Sequence, residues 1–170
     1  MERLGKVETS EDKIKYEINL FSGLYYQRME QPEKALEKMS NADGIAPPEE
    51  KYKTSNNIGN IYMDLAKHEA INEKALGDYD KAEKSFMISD ELAKKQNVIF
   101  WQPRFSIGTI LLLTEKKEES VKAFIESYQL AQTAGEGNSF LQYLPTVKNI
   151  KSLCSSKRFS DIFPKVCVTK

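Results

Sequence analysis

Few residues in this chain could do chemistry. His68 is the only imidazole, so a zinc site built on several histidines is excluded. A serine or cysteine triad would have to use His68, which sits in a run of helix-forming charged residues with no nucleophile motif nearby. The two cysteines, Cys154 and Cys167, do not make a disulfide framework, and a reducing, cytoplasmic compartment is expected. Cys154 reads as a small core residue and Cys167 as an exposed tail residue. A reactive thiol would need a cation to lower its pKa, and only Lys165 and Lys170 are near it in sequence. No Walker loop, dinucleotide fingerprint or calcium loop occurs, and eight scattered glycines leave no phosphate-cradling loop. A non-catalytic protein with no cofactor and no metal site is expected.

Composition narrows the partners. The 170 residues carry 25 Lys+Arg against 25 Asp+Glu, a balance unlike the concentrated positive charge of a nucleic-acid binder. The best uncharged run, Ile107 to Leu113, is far short of the ~18–20 residues a membrane helix needs. Met1-Glu2-Arg3-Leu4-Gly5-Lys6 has no apolar secretory region. With 40% hydrophobic residues the chain can bury a core. A protein or peptide partner is expected, with neither nucleic acid nor membrane, and a homodimer through the long second hairpin is possible.

The elements that would position a binding site are written as a repeat. Gly23 is followed by Tyr26, Ala35, Ala42 and Pro47; Gly59 by Tyr62 and later by Ala82 and Ser89; Gly108 by Leu111, Ser120, Phe124 and Ser127. A small residue on one helix and small residues on the next allow two helices to nest back to back. This set resembles the tetratricopeptide repeat over roughly residues 16 to 132, the first repeat most closely. It departs where the usual early tryptophan is replaced by Asn19, Ser55 and Arg104, and where Leu111 replaces the third tyrosine. The resemblance implies an all-α, right-handed α-solenoid of helical hairpins.

The expected layout is a lead-in over 1–15, repeat 1 over 16–49, repeat 2 over 52–97, repeat 3 over 101–134, capping helices over 139–166 and a tail over 167–170. Leu4 and Val7 could fold back as a short cap. Gly59 to Ala82 spans 23 residues where the other repeats use 12. The excess of 11 is close to three helical turns and falls in a stretch rich in Ala, Glu and Lys. It predicts a first helix lengthened to about 52–76, ended by Gly77, with Asp78 or Asp80 capping a second helix from Lys81 to about Asn97. Lys116 to Glu119 reads as a turn. After the breaker at 132–138, one helix is expected over about 139–155, with Leu141, Leu144, Ile150 and Leu153 facing in and Pro145 in its first turns. A partner helix over 156–166 would bury Phe159, Ile162 and Phe163.

Tetratricopeptide arrays use the inner face of their first helices as a peptide groove. Carried over, the groove comprises Leu20, Leu24, Gln27 and Arg28; Asn56, Asn60, Met63 and Asp64; and Gln102, Phe105, Thr109 and Leu112. Asn56 and Asn60 stand i, i+4 on one face, where amides could bracket the backbone of an extended peptide or simply be solvated. The family's carboxylate clamp is disfavoured, because Leu20, Leu24, Gln102 and Ser106 stand at four of its five positions and only Asn57 matches. Arg28 and Arg104, two of four arginines, could anchor an acidic partner or pair with nearby Glu. Trp101 could be an interface anchor or inter-repeat packing. The expected function is a peptide-binding adaptor or scaffold. The alternatives are a peptide-sensing or docking segment of a larger regulator, or a secretion-type chaperone for an unfolded client.

Overall fold

The computed structural model describes residues 10–67 and 73–168, and His68, Leu4 and Val7 lie outside them. The described residues are helical, with no strand among them. They divide into two compact units at Ala82/Glu83.

In the first unit, α1 (Ser10–Arg28) packs on α2 (Pro32–Ile45), and α2 on α3 (Lys51–Lys67). The α1–α2 contact is close because Gly23 has no side chain: a Cβ there would lie 3.0 Å from Met39 Cε and 3.2 Å from the Met39 backbone nitrogen. Around it, Tyr16, Ala35, Met39, Ala42 and Ile61 form a buried core. Burial pushes the Tyr16 phenol up to about 12, helped by the negative charges of Glu50, Asp43 and Glu17.

In the second unit, α5 (Gln102–Leu113) packs on α6 (Lys117–Thr133). Gly108 meets the Phe124 ring, which would be 3.1 Å from an added Cβ, and Ser120 Oγ donates to the Gly108 carbonyl at 2.7 Å. Lys117, Glu118 and Glu119 are therefore the first turn of α6 rather than part of a turn. The acidic pair suits the positive helix end.

Helix α4 (Glu73–Lys95) crosses the division in sequence, and it corrects the expected second repeat. Gly77, Asp78 and Asp80 lie inside α4 and cap nothing. Ala75, Tyr79, Ala82, Phe86, Ser89 and Ala93 are all buried. That stripe keeps helical spacing straight through Gly77, so burial of one face overrides a glycine's weak preference to terminate. At least part of the extra length therefore belongs to the second helix of the pair.

The C-terminal cap also differs from two helices. It consists of α7 (Gly137–Tyr143), two 3₁₀ segments (Leu144–Thr146, Ile150–Ser155), α8 (Lys157–Ile162) and α9 (Pro164–Cys167). Pro145 lacks an N–H to continue α7, and Asn149 turns left-handed at φ 63°. Leu144, Ile150, Leu153, Phe159 and Phe163 are buried as expected, whereas Leu141 and Ile162 are exposed. Cys154 and Cys167 form a disulfide. This corrects the reading of two separate thiols, one in the core and one in an exposed tail. It also removes the argument for a reducing compartment that rested on them.

Four helices end in one motif. Glu30, Asn97, Glu115 and Gly135 each adopt positive φ. In each case the next N–H reaches back five residues: Gln31 to Tyr26 (3.0 Å), Val98 to Ala93 (2.9 Å), Lys116 to Leu111 (2.8 Å) and Glu136 to Ala131 (2.7 Å). This is the Schellman closure, which favours glycine at the left-handed position. Glu30 and Glu115 are strained there, and each places a negative charge at a helix's negative end. Glu115→Gly is expected to raise stability by about 0.5–1 kcal/mol, or roughly 1–4 °C in thermal melts followed by circular dichroism. A lower melting temperature would contradict the strain.

Candidate partner-binding face

In the first unit the candidate residues lie on α1 and α3. Leu20 and Leu24 pack against the core and are half-buried. Gln27 reaches across the hairpin, its Nε2 donating to Asp64 Oδ2 at 2.8 Å. Asp64 also accepts from Lys67 Nζ at 3.1 Å. Two residues 37 apart in sequence are thus tied together, leaving each amide and carboxylate with further hydrogen-bonding capacity. Asn60 is half-buried and Arg28 exposed. Asn56 and Met63 are buried, each 8% exposed, so Asn56 is not a solvated surface amide. Its Oδ1 is buried without a hydrogen-bond partner. Such an acceptor costs about 1–3 kcal/mol until a donor reaches it.

In the second unit α5 carries the other four. Gln102 is half-buried, and its Oε1 is likewise buried without a partner. Thr109 Oγ1 donates to its own helix, to the Phe105 carbonyl at 3.1 Å. Phe105 is half-buried with its ring edge-on to Trp101, Phe124 and Phe140, and Leu112 is buried in the same core. These two contribute mainly to holding the unit together. Trp101 is buried too, its Nε1 donating to Glu136 Oε2 at 2.7 Å, which makes it packing rather than an interface anchor.

Arg104 is committed internally. Its Nη2 lies 2.9 Å from Asp90 Oδ2, and its Nη1 bonds to Glu126. Asp90, whose side chain is almost wholly buried, also accepts from Lys94 at 2.7 Å. Removing the arginine would leave the largely buried Asp90 carboxylate with the Lys94 ammonium in place of a two-sided clamp. The sequence offers no signal for this network, because Asp90, Arg104 and Glu126 stand on three different helices.

Among the described residues no cluster of three or more His, Cys, Asp or Glu could hold a metal ion. None of the helices described is long and apolar enough to cross a membrane.

A solved structure fits this helix order. The apo form of RapI superposes on 96% of the chain with a TM-score of 0.64, at 15% sequence identity. At that identity the likeness speaks for the fold, which is all-α and of the helical-repeat, α-solenoid kind. The chain spans 56% of the RapI chain, just over half its length. No protein-family model matches the sequence, and no curated protein matches it.

Proposed function

We propose that this chain is a non-catalytic protein-interaction module of the tetratricopeptide kind, whose α1–α3 face holds an extended peptide or a partner helix. The observation that carries the proposal is the unpartnered, buried Oδ1 of Asn56. Buried acceptors in folded proteins are normally satisfied, and a peptide N–H is the donor such a face would receive. Asn60, one turn on, supplies a second amide, and the Gln27–Asp64 pair bounds the same face. Gln102 on α5 repeats the chemistry in the second unit. Contacts to a peptide backbone depend little on side chains, so such a face tolerates varied sequences. A micromolar affinity, about −8 kcal/mol, suits it.

The test uses wild-type chain to capture a partner from native lysate, followed by titration of that identified partner. Asn60→Ala is expected to weaken binding about tenfold with helical signal and melting temperature nearly unchanged, and Asn56→Ala to weaken it about tenfold with helical signal retained. Undiminished binding by both variants would overturn the reading. The long superposition on RapI, a larger chain, favours one variant of the same reading. In it the module is the peptide-sensing or docking part of a regulator.

A further inference from the structure

Helix α1 is apolar on two opposite faces. One carries Tyr16, Leu20, Gly23 and Leu24 toward α2 and the core. The other carries Ile14, Ile18, Phe21 and Tyr25 and is continued by Met29 just past the helix end, all exposed, with Phe21 at 65% and Ile18 at 60%. Their spacing of four, three, four and four is that of one continuous helical stripe. It runs nearly the full length of a helix about 28 Å long. Single exposed apolar residues are ordinary, whereas an unbroken row of five large ones on one face marks a contact surface.

We propose that this outer face of α1 is a self-association surface, on which a second copy of the chain lays its own α1 antiparallel across a two-fold axis. The charges at the two ends of the stripe select this occupant. In the register that places Ile18 against Phe21 of the second copy, Ile14 meets Tyr25. One layer further out, Glu11 at the start of α1 meets Arg28 at its end. The two-fold repeats each layer, so four apolar layers are closed at both ends by opposite charges. Among the described residues Glu11 pairs with Lys15, at 2.6 Å in an exposed pair, an interaction of little worth. A parallel arrangement would oppose Glu11 to Glu11 and Arg28 to Arg28.

The area is also appropriate. The four layered side chains expose roughly 500 Å² per chain, so pairing two helices removes up to about 1,000 Å², the threshold of a specific interface and in keeping with a weak dimer. A lipid surface fits less well. The residues flanking the stripe, Glu11, Asp12, Lys13, Lys15 and Glu17, carry no positive excess for anionic headgroups.

Sedimentation equilibrium of the full chain tests the proposal. A monomer–dimer equilibrium with a dissociation constant of about 1–50 μM is expected. Phe21→Glu should abolish dimer formation without loss of helical signal, since Phe21 touches little in its own chain. Glu11→Arg should weaken the dimer about fivefold by opposing two cations, and adding Arg28→Glu should restore it. A wild-type chain monomeric at 100 μM, a Phe21→Glu chain still dimeric, or a charge reversal that the second substitution does not rescue would each overturn the antiparallel pairing.

Discussion

Phe140→Ala is expected to be the most damaging single substitution in the second unit, costing about 3–5 kcal/mol. The ring is fully buried and lies within 6 Å of four others: Trp101 at 5.6 Å, Phe105 at 5.4 Å, Tyr128 at 5.2 Å and Phe163 at 5.9 Å between centroids. Those partners come from α5 and the residue that precedes it, from α6 and from the C-terminal cap, so one side chain joins three layers of the unit. Its own element, α7, has only seven residues and cannot persist without tertiary packing. Truncation removes both the transfer free energy and the edge-to-face contacts, and the surrounding rings are too rigid to collapse into the space. A fall in melting temperature of at least about 6 °C should follow. Leu141→Ala, at the exposed neighbouring position, should change stability by less than about 1 kcal/mol. Equal effects at the two positions would show that the aromatic cluster does not hold the cap.

What the sequence reveals here divides by the range of the interaction. Gly23 and Gly108 are legible because a close helix–helix approach demands a small residue at a fixed offset from another, and both partners are near in sequence. Gly77 is not legible, because a glycine can end a helix or sit inside one. Only the burial of Ala75, Tyr79 and Ala82 on one continuous face decides between these. The Gln27–Asp64 tie and the Asp90–Arg104–Glu126 network join helices whose side chains carry no local signature of each other. Among the candidate residues, Asn56 and Asn60 are recognisable by type and spacing. That Asn56 Oδ1 is enclosed without a donor depends on the packing around it and appears only in three dimensions. The outer row of α1 follows simple helical periodicity, but where a helix has two apolar faces spacing alone does not show which of them meets the core.

The cysteine pair shows the same limit and sets the second large effect. Cys154 and Cys167 stand 13 residues apart, and their Cα atoms come to 5.5 Å only because the chain between them folds back through α8 and α9. A continuous helix over 139–155 would carry Cys154 on a rigid rod, and nothing in the spacing announces the bend that Pro145 and Asn149 introduce. Closing a loop of this size constrains the unfolded chain by about 3 kcal/mol. The segment it closes needs that help: α8 has six residues and α9 four, far below the length at which a helix stands alone. Against this, Phe159, Phe163 and Val166 are buried in the second unit's core, so reduction should loosen the cap rather than unfold α5 and α6. Reduction with dithiothreitol, or the double substitution Cys154→Ser/Cys167→Ser, is therefore expected to lower the melting temperature by about 6–12 °C. Hydrogen exchange should quicken over residues 144–167 and remain slow at the centres of α5 and α6. Uniform acceleration across both units would mean that the bond supports more than the cap. An unchanged melting temperature would mean that aromatic packing alone holds these short segments in place.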